Sequence, residues 1–308
     1  MKLSKIIRKA TDKTRGKMNL SKSRPQELSP EQEDELEKNL VWVFASPRSG
    51  TSWLANQLLS YQTDSMDEPY IGYHLTSIGI AENRMKLVES HKTRSTYFFS
   101  NVYKDTWLFY LRKLILNRIS VQFPDLSKKK IIKEPNGSMG ADNIIECVPS
   151  SKIILVIRDG RDVIDSLVDA RRGGGWGTNV GMPEISPEER MQFIKSRAKL
   201  WKIRTHLLLK TFDSHPKNLR YMIKYEDLLK NTADELEKIY RFIQVDIAKN
   251  EIEKIVKKYS FKNISDSQKG TGKATRSATP GKWKDNLTKE EQDAMQDIME
   301  KTLEKLGY

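Results

Sequence analysis

A short polar loop near the start of the sequence combines residue types that bind anions. Residues 46–53 read Ser-Pro-Arg-Ser-Gly-Thr-Ser-Trp and supply one cation, several hydroxyl groups and a glycine. An apolar run over residues 41–45 precedes the loop, and Leu54 and Leu58 follow at helical spacing. The pattern predicts a strand, a loop and a helix. Free backbone N–H groups and the positive end of the helix dipole favour an anion in such a loop.

The loop differs from the common phosphate-binding loop G-x-x-x-x-G-K-[ST]. No lysine follows Gly50, and a different cation, Arg48, precedes it. The lysine and the metal of a kinase grip a metal-bridged γ-phosphate. We therefore expect this loop to hold another kind of anion and to need no metal.

A second unit of the same layout lies further along the chain. Residues 153–157 form a continuous apolar run, as expected for a strand that is covered on both faces, and Arg158 and Ser166 follow it. Strands that alternate with helices predict a parallel sheet between two helical layers. The strand-to-helix turns of such a sheet lie at one carboxyl edge, so we expect Arg48 and Arg158 to face the same crevice.

The remaining segments complete an α/β pattern. Further strands are predicted at residues 130–133 and 219–225, and helices after the start signals at Ser186, Thr232 and Thr288. Residues 97–123 are predicted to be helical, residues 64–69 to be a polar turn, and the glycine-rich residues 172–177 to be a mobile loop.

Composition limits the class of protein. The formal charge of +13 predicts anionic ligands, and because the excess is spread along the chain, a small ligand is favoured over nucleic acid. Cys147 is the only cysteine, which excludes an internal disulfide framework and fits a cytoplasmic setting. No run approaches the ~20 apolar residues of a transmembrane helix, and no signal peptide is predicted.

The first 40 residues are predicted to be a tail, with one catalytic domain over residues 41–308. The tail is basic at first and becomes acidic over residues 31–37. We expect it to be flexible or loosely helical, with weak association of its basic part with an acidic surface as an alternative.

The loop at residues 46–53 resembles the 5′-phosphosulfate-binding loop of sulfotransferases that use 3′-phosphoadenosine 5′-phosphosulfate (PAPS). Further matches follow in that family's order. Arg158 with Ser166 resembles the 3′-phosphate site, residues 225–228 resemble the segment after the next strand, and Arg276 with residues 281–284 resembles the loop that closes over the nucleotide. The resemblance covers residues 41–290 and implies a three-layer αβα fold with a central parallel sheet, similar to that of P-loop NTPases.

The resemblance also implies the nucleotide-binding residues, with PAPS as donor, 3′-phosphoadenosine 5′-phosphate (PAP) as product and no metal. Trp53, Tyr225 and Phe261 resemble the adenine-contacting positions. The late loop departs from the cytosolic family's Arg-Lys-Gly, so Lys273 or Lys282 could assist Arg276. The full set is Arg48, Ser49, Gly50, Thr51, Ser52, Trp53, Arg158, Ser166, Tyr225, Phe261, Arg276, Gly281 and Lys282.

Sulfuryl transfer needs a base for the acceptor's proton and cations near the leaving group. Arg48 and Lys133 are the candidate cations. Cytosolic sulfotransferases place their catalytic histidine just after the equivalent lysine, whereas Glu134 and a proline follow here, so the chain resembles the bacterial and carbohydrate enzymes more closely. Glu68, which precedes a proline in a similar Glu-Pro segment, is the first candidate base, and Glu134 and His74 are the alternatives.

The acceptor is left open by the sequence. Residues 70–123 and 171–183 are the variable segments, and their aromatic side chains suit a small-molecule, glycan or lipid acceptor. Three rival functions are a P-loop-type small-molecule kinase, a PAP-binding scaffold without activity and a nucleic-acid-binding module.

Overall fold

A parallel sheet lies at the centre of the computed structural model, which describes residues 27–75, 93, 95–96 and 98–308. Its five strands within the described residues run in the order β2-β3-β1-β4-β5. Because β3 and β4 flank the central β1, the loops that follow these three strands lie side by side. The strands are β1 (Leu40–Ala45), β2 (Thr63–Asp67), β3 (Lys129–Lys133), β4 (Lys152–Ile157) and β5 (Arg220–Lys224).

Helices cover both faces of this sheet. Short 3-10 helices occur at Asn101–Tyr103, Ser138–Gly140, Lys217–Leu219, Phe261–Asn263 and Asp266–Gln268. The α-helices of the described residues are α1 (Pro30–Lys38), α2 (Thr51–Gln57), α3 (Ile71–Leu75), α4 (Lys104–Gln122), α5 (Ala141–Cys147), α6 (Gly160–Ala170), α7 (Trp176–Asn179), α8 (Pro187–Ser214), α9 (Tyr225–Lys230), α10 (Thr232–Ile243), α11 (Lys249–Lys258), α12 (Trp283–Asn286) and α13 (Lys289–Lys305).

Two apolar layers sandwich the sheet because successive side chains of a strand point to opposite faces. Trp42 and Phe44 of β1 pack in the layer formed with α4, α5, α6, α8 and α13. Val41 and Val43 pack in the other layer, with α2, α9, α10 and α11. The predicted three-layer αβα fold with a parallel sheet is confirmed.

Strand β2 corrects the prediction of a polar turn over residues 64–69. Thr63–Asp67 pairs in parallel with β3 although it carries two aspartates and lacks an apolar run. It is an edge strand, in which only Thr63 and Met66 are buried, and its partner β3 supplies the hydrogen bonds that hold it. Propensity is a weak guide to such a strand because pairing decides its conformation.

Helix α1 shows that the folded region begins before residue 41. Ser29 caps the helix in a capping box, and Leu36 is completely buried in the core. The acidic run predicted to be part of a loose tail is held because Arg112 of α4 forms ion pairs with Glu33 and Glu37. Residues 1–26, the basic part of that predicted tail, lie outside the described residues.

The glycine-rich segment forms defined structure instead of the predicted mobile loop. It contains α7, and the Trp176 amide donates to the Gly272 carbonyl oxygen at 2.8 Å. The Gly272 amide in turn donates to Asp169 Oδ2 at 2.8 Å. The segment is therefore fixed to the loop that leads to Arg276. Among the described residues, no helix is both long and apolar enough to cross a membrane.

Candidate anion-binding and catalytic site

The loop after β1 has a backbone that requires glycine at one position. Arg48 and Gly50 both have left-handed conformations, with φ of 74° and 83°. Gly50 is the N-cap residue of α2, and a Cβ atom there would lie 2.5 Å from the Tyr225 ring. Both the conformation and the close approach of Tyr225 therefore exclude a larger residue.

Arg48 connects this loop to two distant parts of the chain. Its Nε donates to Ser166 Oγ at 3.0 Å, and its Nη2 donates to the Ala274 carbonyl oxygen at 2.5 Å. The guanidinium carbon also lies 5.0 Å from the centre of the Trp176 ring. The structure thus brings Arg48 and Ser166, from the two strand-to-helix units, into direct contact.

Arg158 contacts the backbone of Arg48. Its Nη1 donates to the Arg48 carbonyl oxygen at 2.7 Å, and its guanidinium carbon lies 4.6 Å from the centre of the Tyr225 ring. Arg158 Nε and Ser46 Oγ are buried and have no hydrogen-bond partner in the part of the chain that the structure describes. Buried polar atoms are seldom left unpaired, so both atoms fit a ligand that supplies acceptor oxygens.

Positive charge accumulates at this point. Burial, together with the charges of Arg158 and Arg276, lowers the pKa of Arg48 to about 10. Arg276 forms an ion pair with Asp165, which also accepts a hydrogen bond from Asn286 Nδ2 at 3.0 Å. An anion placed among the three arginines would relieve their repulsion and the cost of burying Arg48.

Lys133 and Glu68 form a second centre at the same sheet edge. Lys133 is 2% exposed, and its Nζ donates to Ser52 Oγ and Glu68 Oε1, both at 2.8 Å. Glu68 Oε2 accepts from Asn136 Nδ2 at 2.7 Å. The Glu68 side chain is 31% exposed and its φ of 49° is strained for a residue other than glycine. Glu68 is thus held firmly while its carboxylate stays accessible.

Glu134 follows Lys133 directly but is completely buried. Neither carboxylate oxygen has a well-formed hydrogen bond among the described residues. Burial raises the pKa of Glu134 to about 7, against the backbone amides of Ile71, Tyr70 and Gly137, which lower it. Complete burial does not favour Glu134 as a base, and its role as an alternative base stays a prediction.

We predict that Glu134→Gln changes the pH dependence of stability. The folded-state pKa of about 7 lies above the ordinary value of 4.5, so the folded protein keeps this proton longer than the unfolded chain. The wild-type free energy of unfolding should therefore fall as the pH rises from 4.5 to 7, by up to about 3 kcal/mol. Denaturant titrations at pH 5 and pH 8 should show that Glu134→Gln gains stability over wild type at the higher pH. Glu146→Gln, at a half-exposed carboxylate, is the control and should show no such gain; an unchanged difference for Glu134→Gln would contradict the prediction.

The other predicted site residues are spread more widely. Trp53 Nε1 donates to the Tyr259 carbonyl oxygen at 2.9 Å, and the Trp53 ring meets Tyr225 edge-on. The Gly281 amide donates to Asp162 Oδ2 at 2.8 Å. The predicted residues Ser49 and Thr51 are buried in the loop, whereas Phe261 lies beside Lys269, Lys282 beside Asp285, and His74 against Tyr73. No contact among the described residues joins these last three to the arginine cluster.

Sequence reasoning missed several supporting residues. Asp165 and Asp162 anchor Arg276 and Gly281, and Asn136 orients Glu68. Trp176, considered only as an aromatic of the acceptor region, lies on Arg48. Their positions in the sequence could have indicated two of them. Asp165 adjoins Ser166, and Asn136 follows the Glu134-Pro135 turn.

Comparisons with known proteins agree with this architecture. A family model described as the sulfotransferase domain matches residues 38–307. A crystal structure of mouse sulfotransferase SULT7A1 complexed with PAP is similar, with 16% sequence identity, 90% of each chain covered and a TM-score of 0.56. At that identity the likeness shows the fold alone. No curated protein sequence matches the chain.

Two further solved structures give weaker similarity. The sulfotransferase domain from the curacin biosynthetic pathway has 15% identity and a TM-score of 0.48, over 86% of this chain and 97% of that one. Sulfotransferase STF9 from Mycobacterium avium has 12% identity and a TM-score of 0.48, over 87% and 76% of the two chains.

Proposed function

The chain belongs to the sulfotransferase domain family, and we propose that it transfers a sulfuryl group from PAPS to a hydroxyl or amine acceptor and releases PAP. The observation that carries the choice of donor is the convergence of Arg48, Arg158 and Arg276. Like charges held this close repel one another, which favours an anionic ligand of matching shape.

PAPS fits this arrangement because it has two separate anionic ends. The loop of Arg48 and Gly50 would hold the 5′-phosphosulfate at the start of α2, with Ser46 Oγ as a free donor. Arg158, Ser166 and Arg276 would hold the 3′-phosphate. The similarity in fold to a sulfotransferase that was crystallised with PAP supports PAP as the ligand. Trp53 and Tyr225 would lie against the adenine.

Glu68 is the proposed base. It is the accessible carboxylate of the Lys133 centre, and Asn136 fixes its second oxygen. PAPS supplies a sulfuryl group whose bond to the 5′-phosphate oxygen breaks as the acceptor oxygen bonds to sulfur. Glu68 would take the acceptor's proton, while Lys133 and Arg48 would stabilise the negative charge on the departing phosphate oxygen.

The acceptor is proposed to be a small molecule, a glycan or a lipid. Tyr70 and Tyr73 are 41% and 54% exposed, and the Tyr70 hydroxyl lies 3.4 Å from Glu68 Oε2. These rings would offer an apolar surface next to the proposed base. A cytoplasmic location also stays a proposal, supported by the single cysteine, which is buried and free.

We predict that PAP raises the melting temperature and that ATP with Mg²⁺ does not. A ligand at about 100 times its Kd stabilises the folded state by about 2.7 kcal/mol. Labelled PAPS incubated with a metabolite extract should then yield a labelled product. Stabilisation by ATP alone would favour the kinase, and PAP binding without transfer to any acceptor would favour the scaffold.

A further inference from the structure

Helix α8 carries three arginines on one side. Arg190, Arg197 and Arg204 are spaced seven residues apart, about two helical turns, so they lie along the same side of α8. Arg190 forms a bidentate pair with Glu291, at 2.6 and 3.2 Å. Arg197 and Arg204 have no carboxylate partner among the described residues, and the Nε atom of each is buried without a hydrogen bond. Two of three equivalent cations are therefore left uncompensated.

A third cation without a carboxylate partner among the described residues is Arg171, the C-cap residue of α6. The guanidinium carbons of Arg171 and Arg197 lie 5.4 and 5.1 Å from the centre of the same ring, that of Phe193. Arg171 donates from Nε to the Pro183 carbonyl oxygen. Ring contacts and one neutral acceptor offset only a small part of the repulsion between two partly buried like charges.

The pKa shifts of Arg204 and Arg197 also indicate a lack of neutralising charge. Burial, together with the charge of Arg197, lowers the pKa of Arg204 to about 10. Burial and the charge of Arg171 likewise lower the pKa of Arg197.

The acidic side chains near Arg171, Arg197 and Arg204, here called the arginine cluster of α8, do not neutralise its charge. Glu291 binds Arg190, and Asp169 pairs with Arg172. Glu184 lies beside Gly173 and pairs with none of the three arginines. Within the described residues, the cluster has no counter-ion of its own.

We propose that Arg171, Arg197 and Arg204 form a second anion site that binds a carboxylate, sulfate or phosphate group of the acceptor. This inference rests on the proposed sulfuryl transfer and narrows its acceptor to an anionic compound. Helix α6 connects the two sites, because Ser166 binds Arg48 and Arg171 follows only five residues later, about 7.5 Å along the axis. An acceptor could thus hold its anionic group at the cluster while its hydroxyl group reaches the crevice.

The first test separates the loss of anion binding from a general change in stability. Melting temperatures are measured with saturating PAP, with and without inorganic phosphate, at constant ionic strength set with NaCl. Arg197→Met should melt higher than wild type without phosphate, because it removes an unpaired, partly buried charge, and it should lose the stabilisation by phosphate. Arg190→Met is the matched control. It should melt lower, because Glu291 loses its partner, and it should keep the phosphate effect. A destabilised Arg197→Met that still responds fully to phosphate would overturn the proposal.

The second test identifies the source of the anion. Turnover of labelled PAPS is compared for hydroxyl acceptors in matched pairs, such as methyl glucuronide and methyl glucoside, drawn from classes that give product. The anionic member should have the lower KM, and Arg197→Met should raise that KM about tenfold, with kcat nearly unchanged. Equal KM values within each pair, or a phosphate effect without acceptor preference, would overturn an acceptor role. Failure of wild type to bind PAP would instead count against the proposed function. The effect of phosphate on wild type and on Arg197→Met can still be compared without PAP, so the two proposals fail separately.

Discussion

Glu68→Gln is expected to lower kcat by about 10²- to 10⁴-fold, the usual contribution of a general base. The amide keeps the size of the carboxylate but cannot take the acceptor's proton. PAP affinity should change little, because Glu68 contacts Lys133, Asn136 and Tyr70 and none of the three arginines of the anion cluster. Single-turnover kinetics with labelled PAPS would measure the chemical step, and calorimetry would measure PAP binding.

Asp67→Asn provides the matched control for Glu68→Gln. Asp67 Oδ1 also lies close to Lys133 Nζ, at 2.6 Å, but its side chain is 76% exposed. Because the Asp67 carboxylate is largely solvated and Lys133 keeps Glu68 as its partner, kcat should stay within about fivefold of wild type. Equal losses in both variants would mean that the negative charge near Lys133 matters and that Glu68 is no base. Full activity of Glu68→Gln would exclude its proposed role altogether.

Arg48→Ala is expected to lower kcat/KM by about 10³-fold and to weaken PAP binding as well. The variant loses the guanidinium that binds Ser166 and the Ala274 carbonyl, and with it the charge proposed to face the sulfuryl group. Arg48→Lys should recover part of the PAP affinity but little of the rate, because an ammonium group cannot make both contacts at once.

Two comparisons make the Arg48 prediction decisive. Arg241→Ala removes the same formal charge from a side chain that is 77% exposed on α10, so it controls for a general loss of attraction. It should bind PAP as wild type does. Wild-type PAP affinity in Arg48→Ala would contradict the two-ended anion site, whereas equal losses in both alanine variants would assign the effect to overall charge.

The elements predicted correctly are those that short stretches of sequence specify. The apolar runs at residues 41–45 and 153–157 became β1 and β4, and the strand predicted at residues 130–133 became β3. The start signals at Ser186 and Thr288 became capping boxes. The elements missed depend on distant partners. β2 is a strand because β3 lies beside it, and α1 is fixed because α4 supplies arginine and lysine to its buried glutamates.

The sequence by itself determined that two strand-to-helix turns with arginines and hydroxyl groups would meet at one edge. Strand, turn and helix are local patterns, and a parallel sheet leaves no other place for such turns. Only the tertiary structure set the different surroundings of Glu68 and Glu134. Lys133 and Glu134 are neighbours at the end of β3, where successive side chains point in opposite directions. In the register of β2 and β3, Asp67 lies beside Lys133, and Lys133 therefore binds Glu68, 65 residues away in sequence. Glu134 is buried. The same long-range packing left Arg197 and Arg204 without an acid while Arg190 found Glu291, because partners this distant meet only in the folded chain.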